Sequence, residues 1–248
     1  MEKVKALKSA VATVVGNMKR AAEKTPETRK KRLLMPLTFE KRAEMGVREL
    51  RIDASFDEFI QLVHACDYRL QYSDGQIISF IEIEEKTNTI MGEATVTHER
   101  IVMRFGFYLT QIFGVESPYQ VLGSNVKIFI ADNHKAYNPD VAVVKGEALE
   151  KYYKYNKRTL KGITNPHTLV EVLSDSTRRF DLSEKLARYQ GIPSLQQIIF
   201  VEQGKVWAST FIRQSVHEWR NIIFDSLDAQ IPVGEGFIAL EKIYAKPF

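Results

Sequence analysis

The sequence predicts a mixed α/β fold of the α+β type, in which a mixed sheet packs against a few helices. Three features predict it: an early β-hairpin signal, an amphipathic helix in the middle of the chain, and a series of short apolar runs separated by polar turns. The 248 residues are 44% apolar and 27% charged. This composition is typical of a globular protein and excludes collagen-like and wholly disordered chains.

The composition also predicts a compartment. The single cysteine, Cys66, excludes an internal disulfide and favours a reducing environment. We read no signal peptide in the first residues, and no run reaches the roughly 20 apolar residues that a membrane span needs. We therefore expect a cytoplasmic protein that does not enter a membrane.

The first 50 residues are predicted to form a basic, partly helical N-terminal arm, and residues 51–248 the main domain. Residues 1–50 carry 13 Lys and Arg against 6 Asp and Glu, within a chain whose net charge is +4. Apolar residues in this arm recur at alternating spacings of four and three, which predicts an amphipathic helix of three heptads. These residues are Val4, Leu7, Val11, Val14, Met18 and Ala21. A homodimer through this stripe, a helix packed on the main domain, and phosphate binding by the basic run at residues 29–32 all remain open.

The main domain begins with a helix and a hairpin. Ser55 and Glu58 have the capping-box spacing of a helix start. Asp74-Gly75 lies between two strand-like runs and predicts a tight β-hairpin. Helical apolar spacing predicts a helix over residues 95–113. Further strands are predicted at residues 120–122, 126–130, 141–144, 168–173, 197–201, 206–212 and 217–223.

Two carboxylates lie in strands that are apolar on both faces. Glu171 stands inside the run LVEVL, and Asp140 precedes the run VAVV. Such strands are buried, and a buried carboxylate costs several kcal/mol unless it is paired, protonated or bound to a metal. Each residue alone could be satisfied by a backbone amide or an arginine. If the two strands are neighbours, however, their oxygens converge, and Mg²⁺ prefers such a site.

A well-marked helix follows Glu171. Asp181 is predicted to be its N-cap, with Glu184 at the third helical position, and Gly191 follows its end. Lys185 lies at the border of the inner stripe formed by Leu182, Leu186 and Tyr189. Its ammonium either extends to solvent or reaches the carboxylates, where it would stabilise a phosphate or an attacking water.

Three segments together resemble the Uma-type restriction endonucleases, a bacterial branch of the PD-(D/E)XK nuclease superfamily. They are NPDVAVV at residues 138–144, LVEVLSDST at residues 169–177 and EKLARY at residues 184–189. The resemblance implies a restriction-endonuclease-like core with an upstream β-hairpin. It also implies a Mg²⁺- or Mn²⁺-dependent endonuclease, a hydrolase that cleaves phosphodiester bonds in DNA. By the same resemblance Asp140 and Glu171 bind the metal, and Lys185 completes the catalytic set.

The chain departs from this family in the hairpin, where the family pattern YELIDGE has two glutamates. Here they are Gln71 and Gln76, whose neutral oxygens are weaker metal ligands. The change favours an alternative function, a catalytically silent nuclease-fold module that binds nucleic acid or a protein partner. Gln71, Gln76 and His98 are therefore predicted only as auxiliary site residues, and His98 either orients a water or simply packs.

A basic segment follows the Asp140 strand. Residues 145–161 carry six Lys and Arg against two Glu, with three tyrosines interleaved. Such a stretch can follow a phosphate backbone while its aromatic rings stack, or it can be a solvated loop or helix. The candidate nucleic-acid contacts are Lys151, Lys154, Lys157 and Arg158.

Overall fold

The computed structural model describes residues 35–84, 89–91, 94–130 and 134–245. The chain divides into two units, Met1–Met35 and Pro36–Phe248, and the helices and strands named here belong to the second. The helix predicted over residues 4–21 lies outside the described residues. The predicted division at residue 50 stays a prediction.

The described residues form five helical segments and seventeen strands. The helices are α1 (Phe39–Glu44), α2 (Phe56–Leu62), α3 (Val96–Phe113), α4 (residues 178–190) and α5 (Leu240–Tyr244). The first strands are β1 (Glu49–Asp53), β2 (Gln71–Ser73), β3 (Gln76–Phe80), β4 (Glu82–Glu84), β5 (Thr89–Met91), β6 (Tyr119–Gly123), β7 (Ile128–Ile130), β8 (Lys135–Tyr137) and β9 (Val141–Lys145). The remaining strands are β10 (Glu150–Tyr155), β11 (Arg158–Ile163), β12 (Pro166–Leu173), β13 (Gln197–Glu202), β14 (Ala208–Arg213), β15 (Trp219–Phe224), β16 (Gln230–Val233) and β17 (Gly236–Ala239).

Two large sheets dominate the architecture. One has seven strands in the order β1-β3-β2-β8-β7-β11-β10, and the other has six in the order β15-β14-β13-β12-β9-β6. In the six-stranded sheet β12 is parallel to β13 and antiparallel to β9. The fold is therefore of the mixed α+β type, as the sequence predicts, and the strands that follow Asp140 and contain Glu171 are neighbours.

Strand β12 has apolar packing on both of its faces. Val170 and Val172 belong to one core cluster, which includes the inner face of α3. Leu169 and Leu173 belong to a second cluster, which includes Tyr189 of α4. Alternate residues of a strand share a face, so Glu171 lies on the same face as Leu169 and Leu173. The sheet thus holds its carboxylate toward α4.

The predicted hairpin and central helix are confirmed. Strands β2 and β3 pair through Ser73 and Gln76 across the two-residue turn, in which Asp74 and Gly75 have φ angles of 49° and 81°. Two successive positive φ angles are the requirement of a type I′ turn. Helix α3 begins after Thr95, whose hydroxyl accepts a hydrogen bond from the backbone N–H of His98.

Residues 150–163 of the basic region form a β-hairpin, so the alternative of a solvated loop or helix is wrong. Strands β10 and β11 pair antiparallel around a turn in which Asn156 has a φ of 53°. Exposed and half-buried side chains alternate along β10, and Tyr153, on the half-buried face, packs edge-on against Phe56 and Phe129. This period-two burial defines a strand, and the high lysine content hides it in the sequence.

Among the described residues, no helix is long and apolar enough to cross a membrane.

Candidate active site

Helix α4 carries three side chains toward Glu171. It begins after Thr177 and contains a π-helical turn at Asp181–Lys185, in which the N–H of Leu186 donates to the carbonyl of Asp181. The prediction that Asp181 is an N-cap is wrong, because this residue is already helical and is buried. Asp181, Lys185 and Tyr189 are four residues apart and share one face. Single π turns of this kind are common at functional sites.

The Glu171 carboxylate has a partner on each oxygen. Its Oε2 accepts a hydrogen bond from Lys185 Nζ at 2.8 Å, and its Oε1 accepts one from the Tyr189 hydroxyl at 2.8 Å. Lys185 Nζ also lies 3.2 Å from Asp181 Oδ1 and donates to the carbonyl of Asn138 at 3.3 Å. Lys185 is 2% exposed. Its ammonium therefore reaches the carboxylates and does not extend to solvent.

Asp140 is fixed to the neighbouring strand by its own backbone and side chain. Its N–H donates to the carbonyl of Val170 at 3.1 Å, and its Oδ2 accepts the N–H of Val172 at 2.7 Å. His98 Nε2 lies 3.4 Å from the same Oδ2. His98 is the third residue of α3, so the helix start positions this ring beside Asp140.

The cluster contains more carboxylates than its two basic partners neutralise. Burial raises the pKa of Glu171 and the pKa of Asp181, although Lys185 opposes both shifts. Burial also acts to raise the pKa of Asp140, but the hydrogen bond and charge of His98 and the Val172 N–H hold it below its ordinary value. Burial acts to lower the pKa of Lys185, and the surrounding carboxylates raise it instead. Three carboxyl groups against two basic groups make the cluster a favourable place for a further cation or proton.

The candidate site is a cavity of about 700 Å³. Its lining includes Asp140, Glu171, Lys185, His98 and Gln71. His98 Nδ1 and Gln71 Oε1 are buried there with no hydrogen-bond partner among the described residues. By contrast, the exposed hydrogen bond of Gln76 to Asp53 Oδ1, at 2.8 Å, lies apart from the residues that line this cavity. The structure therefore places Gln71 at the candidate site and Gln76 elsewhere.

Sequence reasoning did not identify three polar residues of this cavity region: Asp181, Lys127 and the Tyr189 hydroxyl. Asp181 stands four residues before Lys185, and this helical spacing was an available signal. Lys127 interrupts the apolar run VKIFI, much as Glu171 interrupts its own strand. The helical spacing places Tyr189 only in the apolar stripe. Its hydroxyl contact depends on how α4 packs against β12, which the sequence does not reveal.

The four predicted nucleic-acid contacts do not share one surface. Lys154 lies on the exposed face of the β10–β11 hairpin, and Lys157 lies in its turn. Alternate residues of a strand share a face. Lys151 is three residues from Lys154, and Arg158 is next to Thr159, the partner of Lys154, so Lys151 and Arg158 lie on the opposite face. Lys151 Nζ lies 5.0 Å from the ring centroid of Tyr153. Only part of the set can therefore face a single phosphate backbone.

The burial of Lys127 predicts an unusual dependence of stability on pH. Burial, with a smaller contribution from Arg69, lowers the pKa of Lys127 to about 8. Between that value and the ordinary value near 10.5, the unfolded chain binds a proton that the folded protein does not, so stability rises with pH. We expect this rise to be about 3 kcal/mol between pH 8 and pH 10.5, and to be missing in Lys127→Met. Urea unfolding of both proteins across this range measures it, and parallel curves would contradict it.

Comparison with known proteins adds a family and a fold. The family model Uma2, described as "Putative restriction endonuclease", matches residues 56–241. An uncharacterized protein of Synechocystis sp. is 30% identical over 125 residues, which are 48% of this chain and 67% of that protein. A second uncharacterized Synechocystis protein is 24% identical over 173 residues, covering 69% of this chain and 80% of its own.

A solved structure has the same fold. The crystal structure of "a putative nuclease belonging to DUF820" from Anabaena variabilis superimposes with a TM-score of 0.54, at 13% sequence identity. The match covers 77% of this chain and 97% of the other. At this level of identity, the likeness shows the fold and leaves the chemistry to be argued from the residues of this chain.

Proposed function

Since the chain belongs to the Uma2 family, whose model covers residues 56–241, we propose that it is a metal-dependent endonuclease that hydrolyses phosphodiester bonds in DNA. The observation that supports this most directly is the buried contact between Lys185 and Glu171 at 2.8 Å, one strand away from Asp140 and in the same cavity. Two carboxylates and a lysine in one cleft suit phosphodiester hydrolysis, because a cation and a positioned ammonium both stabilise charge on the phosphate.

The donor set fits a divalent metal such as Mg²⁺ or Mn²⁺. Among the described residues, no three His, Cys, Asp or Glu side chains are grouped as a complete metal site. Mg²⁺, however, commonly binds through one or two carboxylates and keeps several waters. Asp140 and Glu171 would hold it, since each carboxylate oxygen has two lone pairs and the present hydrogen bonds leave capacity. The bound metal would lower the pKa of a water and neutralise phosphate charge.

The neighbouring side chains position these groups. Tyr189 and Lys185 fix the two oxygens of Glu171, and the Val172 N–H fixes Asp140. The Lys185 ammonium stabilises the negative charge that develops on the phosphate, and His98 holds Asp140 from the side of α3. The protein thus supplies orientation and electrostatic stabilisation, which contribute most when the groups are fixed before the reaction.

A second candidate function is the catalytically silent module that binds nucleic acid or a protein partner. One observation favours it: Gln71 presents a neutral oxygen, without a partner among the described residues, to the cavity where the family has a glutamate. The loss of that charge weakens any cation binding at this wall. Gln76 does not line the cavity, so its neutral side chain does not affect cation binding there.

We also propose a DNA-contact surface, a homodimer and a cytoplasmic location. DNA contact by the hairpin rests on Lys154 and Lys157, which are on or next to its exposed face. The homodimer rests on the heptads of residues 4–21, outside the described residues. Cytoplasmic location rests on the single cysteine Cys66, which is free.

Nicking of supercoiled plasmid tests the function. We expect the wild-type protein to nick DNA with Mn²⁺ or Mg²⁺ and to be inactive in EDTA, and Glu171→Gln, purified in parallel, to fall to the background rate. Equal activity in Glu171→Gln would indicate a contaminating nuclease and refute the assignment. An inactive wild-type protein that still binds DNA would support the silent module.

A further inference from the structure

A second buried lysine lines the candidate active-site cavity, and it has no counter-ion in the described part of the chain. Lys127 is 9% exposed. Its Nζ donates to Asn138 Oδ1 at 2.5 Å and to the carbonyl of Leu70 at 3.2 Å, and lies 5.6 Å from the ring centroid of Phe59. All three contacts are with neutral groups. Buried ammonium groups are almost always paired with an anion, because their desolvation is otherwise uncompensated.

Arg69 adds a second positive charge to the same cavity. It lines the same cavity, and one of its guanidinium nitrogens donates to the Ser124 hydroxyl at 3.0 Å. Its charge acts with burial to lower the pKa of Lys127 to about 8, so the two cations repel each other. At neutral pH Lys127 is still protonated. Among the described residues, neither of these two cations forms an ion pair with a carboxylate; their hydrogen-bond partners are neutral.

This positive pair lies next to the carboxylate cluster. Asn138 connects the two, since its side-chain oxygen accepts from Lys127 and its backbone oxygen accepts from Lys185. Asn138 also stands two residues before Asp140. The ammonium groups of Lys127 and Lys185 are therefore hydrogen-bonded to the two ends of the same asparagine residue.

We propose that Lys127 and Arg69 form a phosphate-binding subsite for a second phosphate of the nucleic-acid strand, beside the phosphate held at Asp140 and Glu171. This proposal rests on the proposed function, because the strand is the substrate of that same cavity. A guanidinium and an ammonium bind phosphate oxygens through charge-assisted hydrogen bonds. Contacts to phosphates fix the register of a strand without reading its sequence. The subsite positions the cleaved bond.

Thermal melting with inorganic phosphate in EDTA tests the subsite without requiring cleavage. We expect phosphate, at ionic strength matched with chloride, to raise the Tm of the wild-type protein. Lys127→Met should lose most of this rise, and Arg69→Gln should reduce it. Without phosphate, Lys127→Met should melt no lower than wild type, because it removes a buried charge that has no counter-ion.

Lys135 provides a matched control. It is also buried, on the nearby strand β8, but it pairs with Asp74 at 3.0 Å and does not line the cavity. Lys135→Met should therefore melt lower than wild type and keep the full phosphate shift. An equal phosphate shift in wild type and Lys127→Met, or no shift in wild type, would overturn the subsite.

Oligonucleotide binding shows whether the subsite binds an internal phosphodiester or a terminal 5′-phosphate. Fluorescence anisotropy would compare single strands that end in a 5′-phosphate or a 5′-hydroxyl. Lys127→Met should weaken binding about tenfold or more. If both strands are weakened equally, the bound group is an internal phosphodiester; if only the phosphorylated strand is weakened, it is the terminal phosphate. Unchanged binding of both strands overturns the proposal. A protein that fails to nick plasmid but keeps the phosphate shift refutes only the nuclease assignment.

Discussion

Lys185→Met is expected to reduce DNA cleavage by about a hundredfold or more and to lower the free energy of unfolding by about 3–5 kcal/mol at neutral pH. The activity falls because the variant lacks the cation that stabilises charge on the phosphate. The stability falls because Glu171 loses its ammonium partner at 2.8 Å and Asp181 loses its partner at 3.2 Å, while both remain buried. Plasmid nicking and urea unfolding measure the two effects.

A variant that removes the whole charged network separates these effects. Lys185→Met combined with Glu171→Gln and Asp181→Asn leaves no uncompensated carboxylate beside the methionine. It should recover most of the lost stability and none of the activity. The deficit of the single variant should also shrink as the pH falls toward 4. Carboxyls with raised folded pKa values contribute stability that is fully present below their unfolded pKa and is lost as the pH rises through the folded value. A single variant as stable and as active as wild type would remove Lys185 from both roles.

The centre of the site could be predicted from the sequence because its residues break local rules. Glu171 and Asp140 are acids where apolar side chains are expected, and Lys185 lies at the edge of an apolar helix face. Each anomaly is local, so one sequence reveals it. The neighbouring positions of β9 and β12 then bring the anomalies together.

The rest of the site depends on packing between distant segments. Lys127 reaches the cavity because β7 lies in the seven-stranded sheet, and its lack of an acidic partner is a property of the folded protein. His98 faces Asp140 only because α3 crosses the six-stranded sheet on the side of Val170 and Val172. The π turn at Asp181–Lys185 is not marked by the apolar spacing or the capping residues of the sequence. For that reason the sequence predicts a helix start at Asp181, where the structure has a buried acid.

The hairpin at residues 150–163 shows the same limit from the opposite direction. Burial alternates along β10, but each face carries both lysine and tyrosine, so the sequence does not show the period of two. The register then separates Lys151 from Lys154. A charge count over a segment cannot show which charges share a face, because this depends on the secondary structure that the segment adopts.

Divalent metal is expected to stabilise the wild-type protein against unfolding. The side chain at position 71 should set the metal concentration at which this stabilisation occurs. The cluster around Glu171 holds three carboxyl groups against two basic groups, and Mn²⁺ or Mg²⁺ that binds the folded state raises its stability by about 2.7 kcal/mol at a hundred times the dissociation constant. Asp140→Asn should abolish this rise. The asparagine retains an oxygen acceptor for the Val172 N–H, so the fold keeps that hydrogen bond while the charge is lost.

Gln71→Glu places a carboxylate on the cavity wall and should lower the metal concentration that gives half of the rise in Tm. Gln76→Glu makes the same chemical change on the neighbouring strand, where the side chain bonds Asp53 and does not line the cavity, so it should leave the metal response unchanged. Thermal melts of the four proteins across a Mn²⁺ titration decide the matter. A response in Gln71→Glu alone would show that this chain lost its metal with that glutamate and is the silent module. No response in any variant would refute metal dependence altogether.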